Sequence, residues 1–238
     1  MTEIKKIVAL AEAEKKIIED FFSEQVVEQI TYVLERCISK VSIVAILDDS
    51  EDALKREIST RIDYFLQKFA SITNKVDVSI YKKDENRDLE MQISSAHFPV
   101  IALFDANGLH SGVKFYGFPG GHEFEAFVLS IYNLAGPGQP LAPEFKEYIE
   151  AFNDPLDLRI CVSLSCDVCP ELVQAGNRFA ILNSMASAAM VDLEYYPEIF
   201  EEFDIPSVPA MIINNQEVLF GRRGMRELLD ALRRRKET

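Results

Sequence analysis

Positive charge is what this chain has least of. Its 25 Lys and Arg stand against 39 Asp and Glu, a net charge of −14. Phosphate backbones need a positive field, so the balance argues against a nucleic-acid partner. Long apolar runs are missing too, and nothing is long enough to span a bilayer. The first twenty residues interleave Lys5, Lys6, Glu12, Glu14 and Lys15 with apolar positions, leaving no uninterrupted core of a signal peptide. These absences lead to the expectation of a cytoplasmic protein with no membrane partner. Cysteine is sparse: four in 238 residues do not make a disulfide scaffold. In a reducing compartment a Cys-x-x-Cys pair then reads as catalytic or metal-binding rather than structural. What remains is ordinary for a globular protein, 48% hydrophobic and 27% charged, with length for one large domain or two small ones.

Apolar residues recur at helical spacing from Ile4, Ile7 and Val8 through Ile18, Phe21 and Phe22 to Ile30 and Leu34, so the stretch to about Ser39 is helical, with Ser23 an open candidate for an internal N-cap. The pattern then changes. Val41–Leu47 is an apolar run of strand length, followed by an amphipathic helix near Glu51–Phe69 and a strand at Val76–Tyr81. Lys82–Glu90 reads as a solvated charged loop. A strand from Pro99 to Phe104, the turn signal Asn107-Gly108, a returning strand Val113–Tyr116 and a helix His122–Leu134 complete the series. Gly136-Pro-Gly-Gln-Pro140 punctuates the chain, and a linking helix covers Ala142–Phe152. The order then repeats: strand Leu158–Leu164, helix from Cys166, strand Ala188–Leu193, a short helix Pro197–Phe203, strand Pro209–Ile213, strand Glu217–Phe220 and helix Met225–Arg235. Both third strands begin at a proline after an apolar residue, Phe98-Pro99 and Val208-Pro209, where a strand tolerates proline. This β-α-β-(α)-β-β-α order, given twice, resembles that of the thioredoxin fold. The expected class is therefore α/β: two tandem thioredoxin-like halves (40–136 and 141–238) packed as one unit, with an extra N-terminal helix over 1–39.

Cys166-Asp167-Val168-Cys169 falls where a buried strand gives way to a helix. Unsatisfied N–H groups and the positive end of the helix dipole stabilise a thiolate there. Cys169 lies three residues on, one turn away on the same face, so Cys166 reads as the attacking thiol and Cys169 as the resolving thiol. Pro170 sits in the first turn, where its missing N–H is tolerated. In thioredoxin-like proteins a cis-proline heading the third strand faces the reactive sulfur and its neighbour's backbone pairs with substrate. Val208-Pro209 has that place, although sequence does not establish the cis state. In the first half Leu47-Asp48-Asp49-Ser50 stands where a cysteine pair would, so that half is expected to be redox-silent. Asp167 beside the nucleophile opposes thiolate formation. Destabilising the dithiol favours reducing behaviour.

Other readings compete. Half a zinc site needs four ligands, and only Cys37, Cys161 and three scattered histidines remain to supply them. Cys161, Cys166 and Cys169 have the Cys-x4-Cys-x2-Cys spacing of plant-type iron–sulfur proteins, but no fourth cysteine follows. Cys161 lies mid-strand and Cys37 follows an apolar helical stripe, so core packing is the default for both. His97 and His122 read as local hydrogen-bonding residues, and Arg233-Arg234-Arg235-Lys236 as compensation of a helix dipole.

Ser163-Leu-Ser-Cys-Asp-Val-Cys-Pro-Glu-Leu-Val-Gln-Ala-Gly-Asn177, Val208-Pro-Ala210, Tyr116-Gly-Phe-Pro-Gly-Gly-His-Glu-Phe124 and Leu47-Asp-Asp-Ser50 together resemble the N-terminal domain of the alkyl hydroperoxide reductase flavoprotein, over about Val26 to Leu232. In that family a tandem thioredoxin-like domain passes electrons from a flavin-containing reductase domain to a two-cysteine peroxiredoxin, and its first half lacks a redox pair. The resemblance implies Cys166 as interchange nucleophile, Cys169 as its partner, and a redox-active disulfide with no bound cofactor. No Gly-x-Gly-x-x-Gly occurs in this sequence, so the expected donor is a separate thioredoxin-reductase-like flavoprotein. The expected acceptor is a peroxiredoxin or another disulfide protein. The N-terminal helical stretch exceeds the family pattern and is expected to cover the first half's sheet or to mediate self-association. Two rival functions stay open: a general protein disulfide oxidoreductase, whose tandem forms usually carry a pair in each half, and a non-catalytic binding module.

Overall fold

A computed structural model describes residues 3–236, with side chains described from Ala9 to Arg235. Ile4, Ile7 and Val8 of the expected apolar stripe, and the ends of the 1–39 and 141–238 spans, lie outside those described side chains.

The N-terminal stretch is two helices, α1 (Glu3–Phe21) and α2 (Glu24–Leu34), because Ser23 caps the second: its backbone is extended and its hydroxyl accepts from Val26 N–H at 3.5 Å. Then come β1 (Val41–Leu47), α3 (Ala53–Ile72), β2 (Val76–Lys82), α4 (Arg87–Ile93), β3 (Val100–Phe104), β4 (His110–Tyr116) and α5 (Glu123–Ala135). After α6 (Pro143–Ala151) the series runs again as β5 (Leu156–Val162), α7 (Cys169–Leu182), β6 (Ala186–Asp192), α8 (Pro197–Glu202), β7 (Ala210–Ile213), β8 (Glu217–Phe220) and α9 (Met225–Lys236). One expectation is corrected here. Lys82–Glu90 is not all loop, because Asn86 caps α4 by accepting from Leu89 N–H at 3.2 Å. The short helix buries only Ile93, so its apolar signal was faint.

The eight strands of the described residues form one sheet in the order β2-β1-β3-β4-β6-β5-β7-β8. Within each half the first two strands are parallel and the other neighbours antiparallel, which is thioredoxin topology. The halves join where β4 runs parallel to β6, with Val113 opposite Ala188 and Tyr116 opposite Val191. A shared sheet makes them one unit, with strands buried on both faces, such as β3 and β7.

The N-terminal helices cover helices rather than the sheet: α1 packs on α3, and α2 on α5. Phenylalanine forms that interface. Phe21 and Phe22 meet Phe65 and Phe69 of α3 and Phe124 of α5, with ring centroids 4.9–6.5 Å apart and mostly edge-to-face. A buried ion pair pins α1 as well. Glu14, 3% exposed, accepts from Arg61 Nε at 2.5 Å, while Arg61 Nη1 donates to the Tyr195 hydroxyl at 2.6 Å in the other half.

Candidate active site

Cys166 and Cys169 form a disulfide, Cα atoms 5.5 Å apart. The turn that carries it leaves β5 and closes through Cys166 N–H donating to Ser163 O at 2.9 Å. The expected helix start at Cys166 is corrected to Cys169. A helix beginning at Cys166 would need a bond from residue 170 back to its carbonyl, and Pro170 has no N–H to give. Gly176, one face further along α7, lets the helix lie against β5; a Cβ there would stand 2.5 Å from Ile160 Cδ1.

The two sulfurs have unequal surroundings. Cys169 is fully buried, whereas Cys166 is half-buried between exposed Ser165 and Asp167. Val208-Pro209 is a cis bond, as is Phe98-Pro99, and so is Gly136-Pro137, which the sequence marked only as punctuation between the halves. β7 begins at Ala210 opposite Cys161 near the end of β5, so Val208 and Pro209 leave the sheet at the edge from which the disulfide turn springs. Pro209 O is occupied by Gly221 N–H at 3.0 Å. All six residues singled out in sequence, Cys166, Asp167, Cys169, Pro170, Val208 and Pro209, thus belong to one end of the second half.

The first half contributes to this end. Its loop before α5 crosses over, with His122 N–H donating to Leu164 O at 3.2 Å, and Gly121 (φ +55°) is pressed so close that a Cβ would stand 2.6 Å from that same oxygen. The next residue but one, Glu123, is fully buried, and among the described residues neither of its carboxylate oxygens has a hydrogen-bond partner. Burial pushes its pKa up to about 8, helped by the charge of Asp192, which is itself raised to about 6, mainly by burial. Asp192 ends β6 opposite Val162, the last residue of β5. Sequence reasoning missed this acid pair. A signal was present: Glu123 falls on the stripe of Phe127 and Ile131, an acid on an apolar helix face. Arg222 was missed too; it pairs with Glu171 at 2.8 Å, and Asp167 adds to the raising of its pKa.

The other cysteines are core residues. Burial raises the Cys37 thiol and pushes Cys161 up to about 12. His97 packs edge-on against the rings of Tyr116 and Tyr196, with burial lowering its pKa, and His122 is exposed at the head of α5. Among the described residues no three His, Cys, Asp or Glu are grouped to hold a metal ion, and no helix is long and apolar enough to cross a membrane.

Comparison with known proteins bears on this arrangement. The thioredoxin domain family model matches residues 156–232, the half with the disulfide. The alkyl hydroperoxide reductase polypeptide AhpF of Pseudomonas putida is 30% identical over 201 residues, which is 84% of this chain and 35% of that protein. The chain therefore spans about a third of the length of such curated relatives. The NTD_N/C domain of the alkylhydroperoxide reductase AhpF from Enterococcus faecalis superposes with a TM-score of 0.83 at 34% identity, covering 89% of this chain and 99% of that one. A protein disulfide oxidoreductase from Aeropyrum pernix shares the fold, with a TM-score of 0.71 at 19% identity over 88% of this chain and 91% of its own. Sequence and structure agree over both halves: the chain belongs to the family of the N-terminal domain of the alkyl hydroperoxide reductase AhpF.

Proposed function

We propose that this chain is a thiol–disulfide oxidoreductase whose Cys166–Cys169 pair relays electrons from a thioredoxin-reductase-like flavoprotein to a peroxiredoxin or another disulfide protein. The observation that carries the reading is the inequality of the two sulfurs, one half-buried at an exposed turn and one fully buried. Access selects Cys166 as the sulfur that exchanges with partners and Cys169 as the one that resolves. The disulfide is itself the carrier, so the cycle uses no bound cofactor.

In the reduced state the Cys166 thiolate attacks an acceptor disulfide. A Cys166–acceptor bond forms, and the acceptor's other sulfur leaves as a thiolate and takes a proton. Cys169 then loses its proton and attacks Cys166. The mixed disulfide breaks, the acceptor departs as a dithiol, and Cys166–Cys169 is oxidised, two electrons and two protons having moved. The donor dithiol runs the same exchange in reverse. Glu123, buried at the strand ends beside the disulfide turn with a pKa of about 8, is suited to take and return the Cys169 proton near neutral pH. Val208 presents its backbone at the strand head for an extended partner segment.

A coupled assay tests the reading. With NADH, a thioredoxin-reductase-like flavoprotein, a two-cysteine peroxiredoxin and a hydroperoxide, NADH oxidation should require this chain and disappear with Cys166→Ser. Oxidation indifferent to the chain would overturn the relay. Insulin reduction with dithiothreitol separates the two levels of the proposal. Activity there without coupling retains the oxidoreductase and removes the partners; no activity, unchanged by Cys166→Ser, leaves a binding module.

A further inference from the structure

At the seam between the halves, two basic side chains that the redox site does not use flank one small residue. In the parallel pairing of β4 with β6, Lys114 stands opposite Ala189, and Ala189 stands opposite Arg159 of β5. Residues in register on adjacent strands project to the same face, so Lys114 and Arg159 flank Ala189 at two strand spacings, roughly 10 Å between backbones. The alanine methyl leaves the space between them unfilled. A cavity of about 350 Å³ lies there, lined by both cations, His97, Tyr116, and the carboxylates of Asp157 and of Glu202 at the end of α8.

The cations in this cavity are poorly matched. Lys114 is 6% exposed, and its ammonium donates at 3.3 Å to a neutral partner, Ser94 O. Arg159 Nε is buried with no hydrogen-bond partner among the described residues. The carboxylate it faces, Asp157, is 46% exposed and holds its Oδ2 3.7 Å away, too far for a hydrogen bond, while its Oδ1 accepts from the Ser187 hydroxyl at 2.6 Å. Burial lowers the Lys114 pKa, the charge of Asp157 raises it in part and that of Arg159 lowers it; the same guanidinium also lowers His97. A buried charge is costly unless paired and hydrogen-bonded, and two of like sign raise that cost. Glu202 is exposed at the rim rather than between them.

We propose that the seam cavity binds a small oxyanion, a carboxylate or phosphate group held between Lys114 and Arg159 above Ala189. Two charge-assisted hydrogen bonds would converge on it from opposite sides, satisfying the Arg159 Nε. The volume suits a small metabolite or the charged end of a larger one. Because one cation belongs to each half, the site exists only in the joined sheet.

The test is a titration of the ¹⁵N-labelled full chain with inorganic phosphate and, separately, succinate, at ionic strength held constant with chloride. The proposal expects saturable shifts at the amides of Ser94, Lys114, Ala189 and Arg159 with one oxyanion or both, the one that saturates naming the group recognised. Lys114→Met and Arg159→Met should weaken binding at least about tenfold. Ala189→Leu, which keeps both charges and fills the space, should do the same. Shifts that never saturate, that saturate elsewhere on the chain, or that survive all three substitutions would overturn it. The wild-type map decides the location even if a variant fails to fold.

Discussion

The two halves share an element order and a cis proline heading the third strand, yet the edge beside that proline is used in opposite ways. In the second half Pro209 O is taken by its own neighbouring strand, and Val208 stays partly accessible beside the disulfide turn. In the first half Pro99 O accepts the Tyr196 hydroxyl at 2.5 Å, and that tyrosine, fully buried, comes from the other half. Lys55 caps the plug, its ammonium 3.6 Å from the Tyr196 ring centroid and bonded to Tyr195 O at 2.6 Å. Leu47-Asp48-Asp49-Ser50 follows β1 with no cysteine; the Asp48 backbone is engaged in both directions by the Ser59 hydroxyl at 3.0 Å. A duplicated groove has become a socket for its twin. Under the proposed function the lesson is a division of labour: the first half is scaffold and supplier of a buried acid, and the second half holds the disulfide.

Four substitutions break or sharpen that comparison. Phe65→Ala removes the ring at the centre of the first half's phenylalanine cluster, fully buried against Phe22, Phe69, Phe118 and Phe127. Stability measured by denaturant should fall by about 3–5 kcal/mol, with the reduction potential of the folded remainder unchanged; a shifted potential would break the division.

Glu123→Gln acts next in size, through pH. Folding raises Glu123 from 4.5 to about 8, so the folded state keeps a proton that the unfolded chain releases. That contribution is fully present below about pH 4.5 and is lost as pH rises toward 8. The glutamine variant should therefore hold its stability across the window in which the wild type declines, and parallel curves would count against a neutral buried acid. If Glu123 also takes the Cys169 proton, the variant's rate of insulin reduction should lose its pH dependence near 8.

Tyr196→Phe deletes the hydroxyl that fills the first half's groove. Leaving Pro99 O unsatisfied should cost about 1–3 kcal/mol in denaturant midpoint and slope, with exchange activity retained. Asp167→Asn is the smallest change and bears on the redox half alone. Removing the carboxylate should lower the Cys166 pKa and raise the reduction potential by about 10–30 mV in a glutathione or thioredoxin titration. No shift, or a more negative potential, would sink the idea that Asp167 destabilises the thiolate.

Much of this comparison was legible in the sequence. The repeated strand and helix order, the two strand-heading prolines and the lone Cys-x-x-Cys are local patterns, and local patterns survive without coordinates. What was hidden depends on tertiary contact. Nothing around Tyr196 announces a partner at Pro99, 97 positions away. α4 was hidden because a seven-residue helix with one buried side chain looks like charged loop. The start of α7 was misplaced because the dipole argument looks forward from Cys166, while the hydrogen bond that would begin a helix there depends on Pro170. β6 begins earlier than its apolar run, at Ala186, since pairing with Leu156 of β5 overrides the weak strand preference of Ala and Ser. Lys114 and Arg159 looked like ordinary strand charges until the seam placed them on either side of Ala189.

The central claim is that exchange with partners runs through Cys166 alone. Incubating the Cys169→Ser chain with an oxidised two-cysteine peroxiredoxin, and locating the trapped bond by peptide mass spectrometry, tests it most directly. The account predicts a mixed disulfide at Cys166 that is absent from the Cys166→Ser chain. A bond through Cys169 in that second variant, or through Cys37 or Cys161 in either, would contradict it.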